Sequence, residues 1–138
     1  MKKYIVLALI TVTVFFTSCE DNIKYKVDIE EASEVTFTDV KEIFTNNNTC
    51  ISCHNTQSKD YYAGLDLSAS VYENIVGVNS TQRTNEVLIK ANSPEESYLY
   101  RKMTGENIDG TIMPPGGKLN QIQLDKIKSW IENGALNN

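Results

Sequence analysis

The chain has 138 residues, of which 41% are hydrophobic and 9% aromatic, enough for one small globular domain and too few for two full-sized ones. A net charge of −5 argues against nucleic acid and anionic membrane surfaces as partners, and only 7 Gly and 3 Pro exclude fibrous or low-complexity classes. Three cysteines stand against a single histidine, so internal disulfides cannot use every thiol and no site can need two imidazoles.

Lys2 and Lys3 precede an uncharged run from Tyr4 to Phe16, followed by Thr17, Ser18 and Cys19. A basic start, a short apolar stretch and small residues before a cut point describe an export signal occupying residues 1–18. The run is shorter than the roughly 20 apolar residues of a membrane span. An ordinary secretory signal is one reading. F-T-S-C also resembles the bacterial lipoprotein signal, in which the cysteine is lipidated and becomes the mature N-terminus, with Phe16 where Leu is commonest. Lipidation of Cys19 is expected, and stable anchoring takes more than one acyl chain. Removal of this segment takes Lys2 and Lys3 and no acid, so the net charge moves from −5 to −7. Residues 19–35 then read as the lipidated end and an acidic, solvated tether, with a weak strand near Tyr25–Ile29 as the alternative.

The domain proper is expected over residues 36–138. Thr38 reads as the cap of a short helix through Phe44 that buries Val40, Ile43 and Phe44, ended by the polar run at 45–49. Ser68 reads as the start of a second helix with Val71, Tyr72 and Ile75 inward, closed by Gly77. Ser93-Pro94-Glu95-Glu96 combines a serine cap, proline in the first turn and a glutamate three residues on. That pattern predicts a capping box and a helix carrying Tyr98, Leu99 and Met103 up to Gly105. Asn120 and Gln123 open a last helix with Leu124, Ile127, Trp130 and Ile131 at helical spacing, closed by Gly134. No segment alternates as a strand does. The fold class is all-α, a small domain with substantial loops. Glu95, Glu96 and Asp125 read as solvated acids, and Trp130 as core.

Between the first two helices lies Cys50-Ile51-Ser52-Cys53-His54, the C-x-x-C-H signature of c-type haem attachment. Two cysteines three apart on one turn can each bond a neighbouring haem vinyl group, and the histidine after the second falls beneath the iron. A redox dithiol would want a βαβ surround, and a zinc site would want ligands that this chain lacks beyond Cys19. A structural Cys50–Cys53 disulfide leaves His54 without a role. Cys50 and Cys53 are therefore candidate thioether positions for one covalent haem c, with His54 the proximal iron ligand.

With one histidine in the chain, a second imidazole ligand is impossible. Met103 sits at a core position of its helix, so it reads as packing. Met113 lies in G-T-I-M-P-P-G-G, where prolines stiffen the backbone, and is the candidate distal iron ligand. A solvent-facing loop methionine is the alternative. His/Met ligation raises the reduction potential and suits electron transfer.

Residues Val35 to Ala135 resemble a class I (mitochondrial-type) cytochrome c domain. The resemblance is to small single-haem bacterial domains carrying G-L-D-L-S, S-Y-L-Y-R-K, M-P-P-G-G and W-I-x-x-G-A around C-x-x-C-H, here Gly64–Ser68, Ser97–Lys102, Met113–Gly117 and Trp130–Ala135. It implies about four short helices wrapped around a covalent haem lying beneath Met113, with the first and last helices crossing near Phe44 and Trp130/Ile131. This sequence departs from the family in having no proline soon after His54, whose carbonyl often orients the proximal ring there. Asn46–Asn48 looks like a small insertion. The implied function is an exported, lipid-anchored monohaem electron carrier, in the periplasm or at the surface of a bacterial cell, with no enzymatic activity of its own. Its acidic balance implies redox partners with a basic docking face. The alternatives are a haem catalyst of peroxidase type and a haem-based ligand sensor, both needing an open or labile sixth position. A thiol or metal site without haem is the remaining one.

Overall fold

The computed structural model describes residues 34–46 and 49–138. The export signal, Cys19 and nearly all of the tether lie outside the described residues, as do Asn47 and Asn48. Four α-helices follow in chain order: α1 (Phe37–Thr45), α2 (Val71–Ile75), α3 (Tyr98–Thr104) and α4 (Gln121–Glu132). Among the described residues there is no strand, only isolated bridges between Val76 and Ile89 and between Asn79 and Val87. The all-α expectation holds.

The helix starts show where local pattern reading succeeds. Asn120 caps α4 as expected, its side chain accepting from the Gln123 N–H at 2.9 Å while Gln123 Oε1 accepts from the Asn120 N–H at 3.0 Å. α1 starts two residues earlier than its sequence suggests. Thr36, not Thr38, is the cap, because Asp39 stands three residues beyond Thr36 and returns the second hydrogen bond of the box. The earlier start also brings Phe37 onto the buried face.

The other two starts need correction. Ser68 does not open α2; its amide and hydroxyl both donate to Asp66 Oδ1, and the helix begins at Val71 after Ser70 in a left-handed conformation (φ 46°). Ser93 does not cap α3. Pro94–Glu96 forms a separate 3-10 turn, and α3 follows Ser97 with no side-chain cap. Ser97 is fully buried and donates to the Ser93 carbonyl at 2.8 Å, while Glu96 turns away to pair with Lys90. A buried serine thus ties the two segments together. Gly105 ends α3 at φ 89°, as expected of a C-terminal glycine.

α1 and α4 pack against each other, and α4 also meets α3. The Trp130 ring lies 5.6 Å from that of Phe37 and its N–H donates to the Leu136 carbonyl at 2.8 Å. The ring contact between the outer helices falls at Phe37, while Phe44, at the far end of α1, faces the cavity described next. Val40, Ile75, Ile89, Ile127 and Ile131 are all fully buried in the shared core.

Candidate functional site

The C-x-x-C-H residues form one tight turn, closed by the amides of Cys53 and His54 donating to the Cys50 carbonyl at 3.2 and 2.9 Å. Asn55 locks the turn from below. Its side-chain N–H donates to the Ile51 carbonyl at 2.8 Å, and its Oδ1 accepts from the amides of Gln57 and Ser58. Ser58 donates to the Cys53 carbonyl. The path from Asn55 to Gly64, lacking an early proline, is instead an Asx turn followed by a 3-10 turn over Lys59–Tyr61.

The segment after this turn is fastened back to it. The Leu67 N–H donates to the His54 carbonyl at 2.9 Å. Asp66 is only 6% exposed and accepts from the hydroxyls of Thr56 and Ser68 and the amides of Ser68 and Ala69. The Thr56 hydroxyl does most to hold the Asp66 carboxyl down at about 2, with the Ser68 and Ala69 donors adding to it. The G-L-D-L-S segment is therefore a brace for the C-x-x-C-H turn.

A cavity of about 400 Å³ opens above the turn, lined mainly by apolar side chains. Cys50, Cys53 and His54 line it, together with Phe44, Leu65, Leu67, Leu99, Met103 and Leu119. Met113, Pro114 and Pro115 line the same cavity. Tyr62 stands at its edge with its ring 5.8 Å from the His54 imidazole, in an edge-on arrangement. A polar side is contributed by Ser80, Thr81, Gln82, Tyr98 and Lys102.

The electrostatics suit ligation. Burial disfavours the protonated His54 ring and lowers its pKa below the ordinary histidine value, so the imidazole is held neutral with a lone pair to share. The carbonyls of Leu65 and Tyr62 offset part of that effect, but neither makes a hydrogen bond of normal geometry to Nδ1, which is buried and unpartnered. Burial also pushes the Cys50 thiol up to about 11, and both thiols are free. Two thiols and an imidazole on one turn, lining an apolar cavity that Met113 also lines, fit a flat, covalently held metal macrocycle. Here Cys50 and Cys53 would make the covalent bonds while His54 and Met113 would hold the iron.

Met103 is 4% exposed and belongs to the core cluster, as its helical position implies, though it also borders the cavity. Sequence reasoning missed the residues that hold the Met113 loop. The Lys102 ammonium donates to the carbonyls of Asp109 and Thr111, and the Lys102 carbonyl accepts from the Met113 N–H at 2.7 Å. Arg83 grips the Asp109 carboxylate with two hydrogen bonds of 2.9 and 2.8 Å. The signal for Lys102 was its spacing: it stands three residues beyond Leu99, on the buried side of α3. Nothing in the local pattern pointed to Arg83.

An all-helical domain in which a C-x-x-C-H turn and a proline-stiffened loop share one apolar cavity is the architecture of a covalent haem carrier. Residues 37–135 match the family model for cytochrome c, and the chain belongs to that family. Cytochromes c carry covalently attached haem c and transfer electrons to redox partners. Comparison with curated proteins and with solved structures returned no match.

Proposed function

We propose that this chain is a class I, single-haem electron carrier, anchored by lipid at Cys19 to a bacterial membrane, with its domain in the periplasm or at the cell surface. Cys50 and Cys53 would hold the haem through thioether bonds, and His54 and Met113 would hold its iron. The observation that carries this reading is that those four residues, from two distant parts of the chain, line one apolar cavity. When bound, haem supplies an iron that gains and gives up one electron. The protein's residues do the rest. The neutral His54 imidazole would supply one ligand and the Met113 thioether the other, and the apolar walls formed by Phe44, Leu99 and Met103 would keep water from the iron. With His54 and Met113 both holding the iron, no place for substrate would remain, which favours a carrier over a catalyst or gas sensor. Export supports haem attachment, and Cys19 is the thiol left over from the haem motif. The acidic balance of the chain suits partners with a basic docking face.

An optical and redox titration of protein matured in a haem-attaching host tests the reading. Wild type should show an iron–thioether absorption band when oxidised, and little carbon monoxide binding when reduced. Met113→Ala should lose the band, lower the midpoint potential and bind carbon monoxide readily. Retention of that band in Met113→Ala would remove Met113 as the ligand.

A further inference from the structure

We propose that Lys102 is the positioning residue for Met113, clamping the loop from Asn107 to Met113 against α3 and so setting how easily the thioether leaves the iron. The inference rests on the reading of Met113 as an iron ligand. Lys102 is only 5% exposed although it is a lysine, and its position is explained by what its atoms hold. Its Nζ donates to the Asp109 carbonyl at 2.8 Å and the Thr111 carbonyl at 2.6 Å, and its own carbonyl accepts from the Met113 N–H at 2.7 Å. One residue of α3 thus engages the loop at three places, the last of them at Met113 itself.

The rest of the loop is secured on the same side. The Arg83 guanidinium binds the Asp109 carboxylate and the Asn107 carbonyl, and the Asp109 N–H donates to the buried Tyr98 hydroxyl at 3.2 Å. Gly105, at the end of α3, allows close approach: a Cβ there would stand 3.2 Å from Ile112 Cδ1. Beyond Met113 the backbone contact is a single turn within the loop, from the Gly117 N–H to the Pro114 carbonyl at 3.3 Å. The loop is therefore held to the body from its N-terminal side, and Lys102 is the last hold before the sulfur.

The clamp works through the cost of a buried unpaired cation. Lifting the loop would strip two carbonyl acceptors from an ammonium that lies out of water, leaving it unsatisfied. Dissociation of Met113 from iron with loop movement is therefore opposed by Lys102 as well as by the iron–sulfur bond. A lysine that served packing alone would affect global stability without changing ligand departure.

The test uses the haem-loaded protein. Imidazole at saturating concentration binds oxidised iron no faster than Met113 departs, so the limiting rate reports loop release. Lys102→Leu, folded by far-ultraviolet circular dichroism, should show a limiting rate at least tenfold above wild type, with a weakened iron–thioether band. Arg83→Leu, cutting the hold at Asp109, should move the rate in the same direction by less. Wild-type rate and band in a folded Lys102→Leu protein overturn the proposal. Should Lys102→Leu not fold, hydrogen exchange of the Met113 amide in wild type decides. Strong protection supports the clamp, and exchange at the rate of an unstructured chain overturns it. Met113→Ala separates the two levels of inference. If it loses the thioether band while Lys102→Leu behaves as wild type, the ligand stands and the clamp falls.

Discussion

Asp66 shows how a single side chain decides local order beside the site. One carboxylate accepts four hydrogen bonds from Thr56, Ser68 and Ala69, and this joins the segment after the C-x-x-C-H turn to the segment before α2. The same donors lower its pKa to about 2. A carboxyl whose folded pKa is depressed stabilises the fold above its unfolded pKa near 4, and that contribution disappears as the pH falls toward 2. We therefore expect Asp66→Asn to destabilise the protein by about 1–2 kcal/mol at pH 7, after allowance for solvent screening. The deficit should shrink between pH 4 and pH 2. Denaturant unfolding of both proteins across that range checks it, and a deficit independent of pH would show that the charge is not what matters. In the sequence, Asp66 was visible only as part of G-L-D-L-S. Its donors stand up to ten residues away, and no local rule pairs Thr56 with it.

At the scale of elements, the helix ends separate what neighbours along the chain decide from what distant packing decides. The boxes at Thr36/Asp39 and Asn120/Gln123 are complete within four residues. That makes them legible, as the pair Asn120 and Gln123 shows. Thr38 and Thr36 compete for the start of α1, and the acid three residues along favours Thr36. Thr36→Ala should cost about 1 kcal/mol, while Thr38→Ala, at an exposed position inside the first turn, should stay within about 0.5 kcal/mol of wild type. Paired thermal melts of the two variants test this: equal effects would place the cap wrongly. Ser93-Pro94-Glu95-Glu96 carries a stronger local signal than either box, yet it ends in a short 3-10 turn. Ser97 is drawn into the interior, where its hydroxyl accepts from the Lys90 N–H at 2.9 Å, and Glu96 is drawn outward to Lys90. Tertiary bonds outweighed a local preference worth only about 1 kcal/mol.

At the scale of the molecule, the fold is arranged around a cavity it does not fill with its own side chains. An apolar void of about 400 Å³, at roughly 24 cal/mol per Å³, would cost about as much as the whole stability of a small domain. The cavity is open to solvent, which reduces that cost, but the implication for the bound group is clear: it acts as core. Chain produced without haem attachment should lose its near-ultraviolet circular dichroism and unfold with little cooperativity, while keeping part of its helical signal. Haem-loaded chain should melt in one sharp transition. A haem-free chain melting as sharply, at the same temperature, would contradict this role.

Residues close along the chain suffice for the all-α class, the last helix with its cap, the burial of Trp130 and Met103, and the C-x-x-C-H turn. Each is settled by residues within a few positions of one another, where backbone geometry and helical spacing leave little choice. A lone histidine excludes a second imidazole ligand, and the core position of Met103 on its helix leaves Met113 as the candidate among the methionines. How the Met113 loop is held depends instead on packing between distant segments. Lys102 reaches Asp109 and Thr111, and Arg83 reaches Asp109 across 26 positions. Bonds across such separations depend on how the elements pack, since nothing between those residues along the chain specifies their distance.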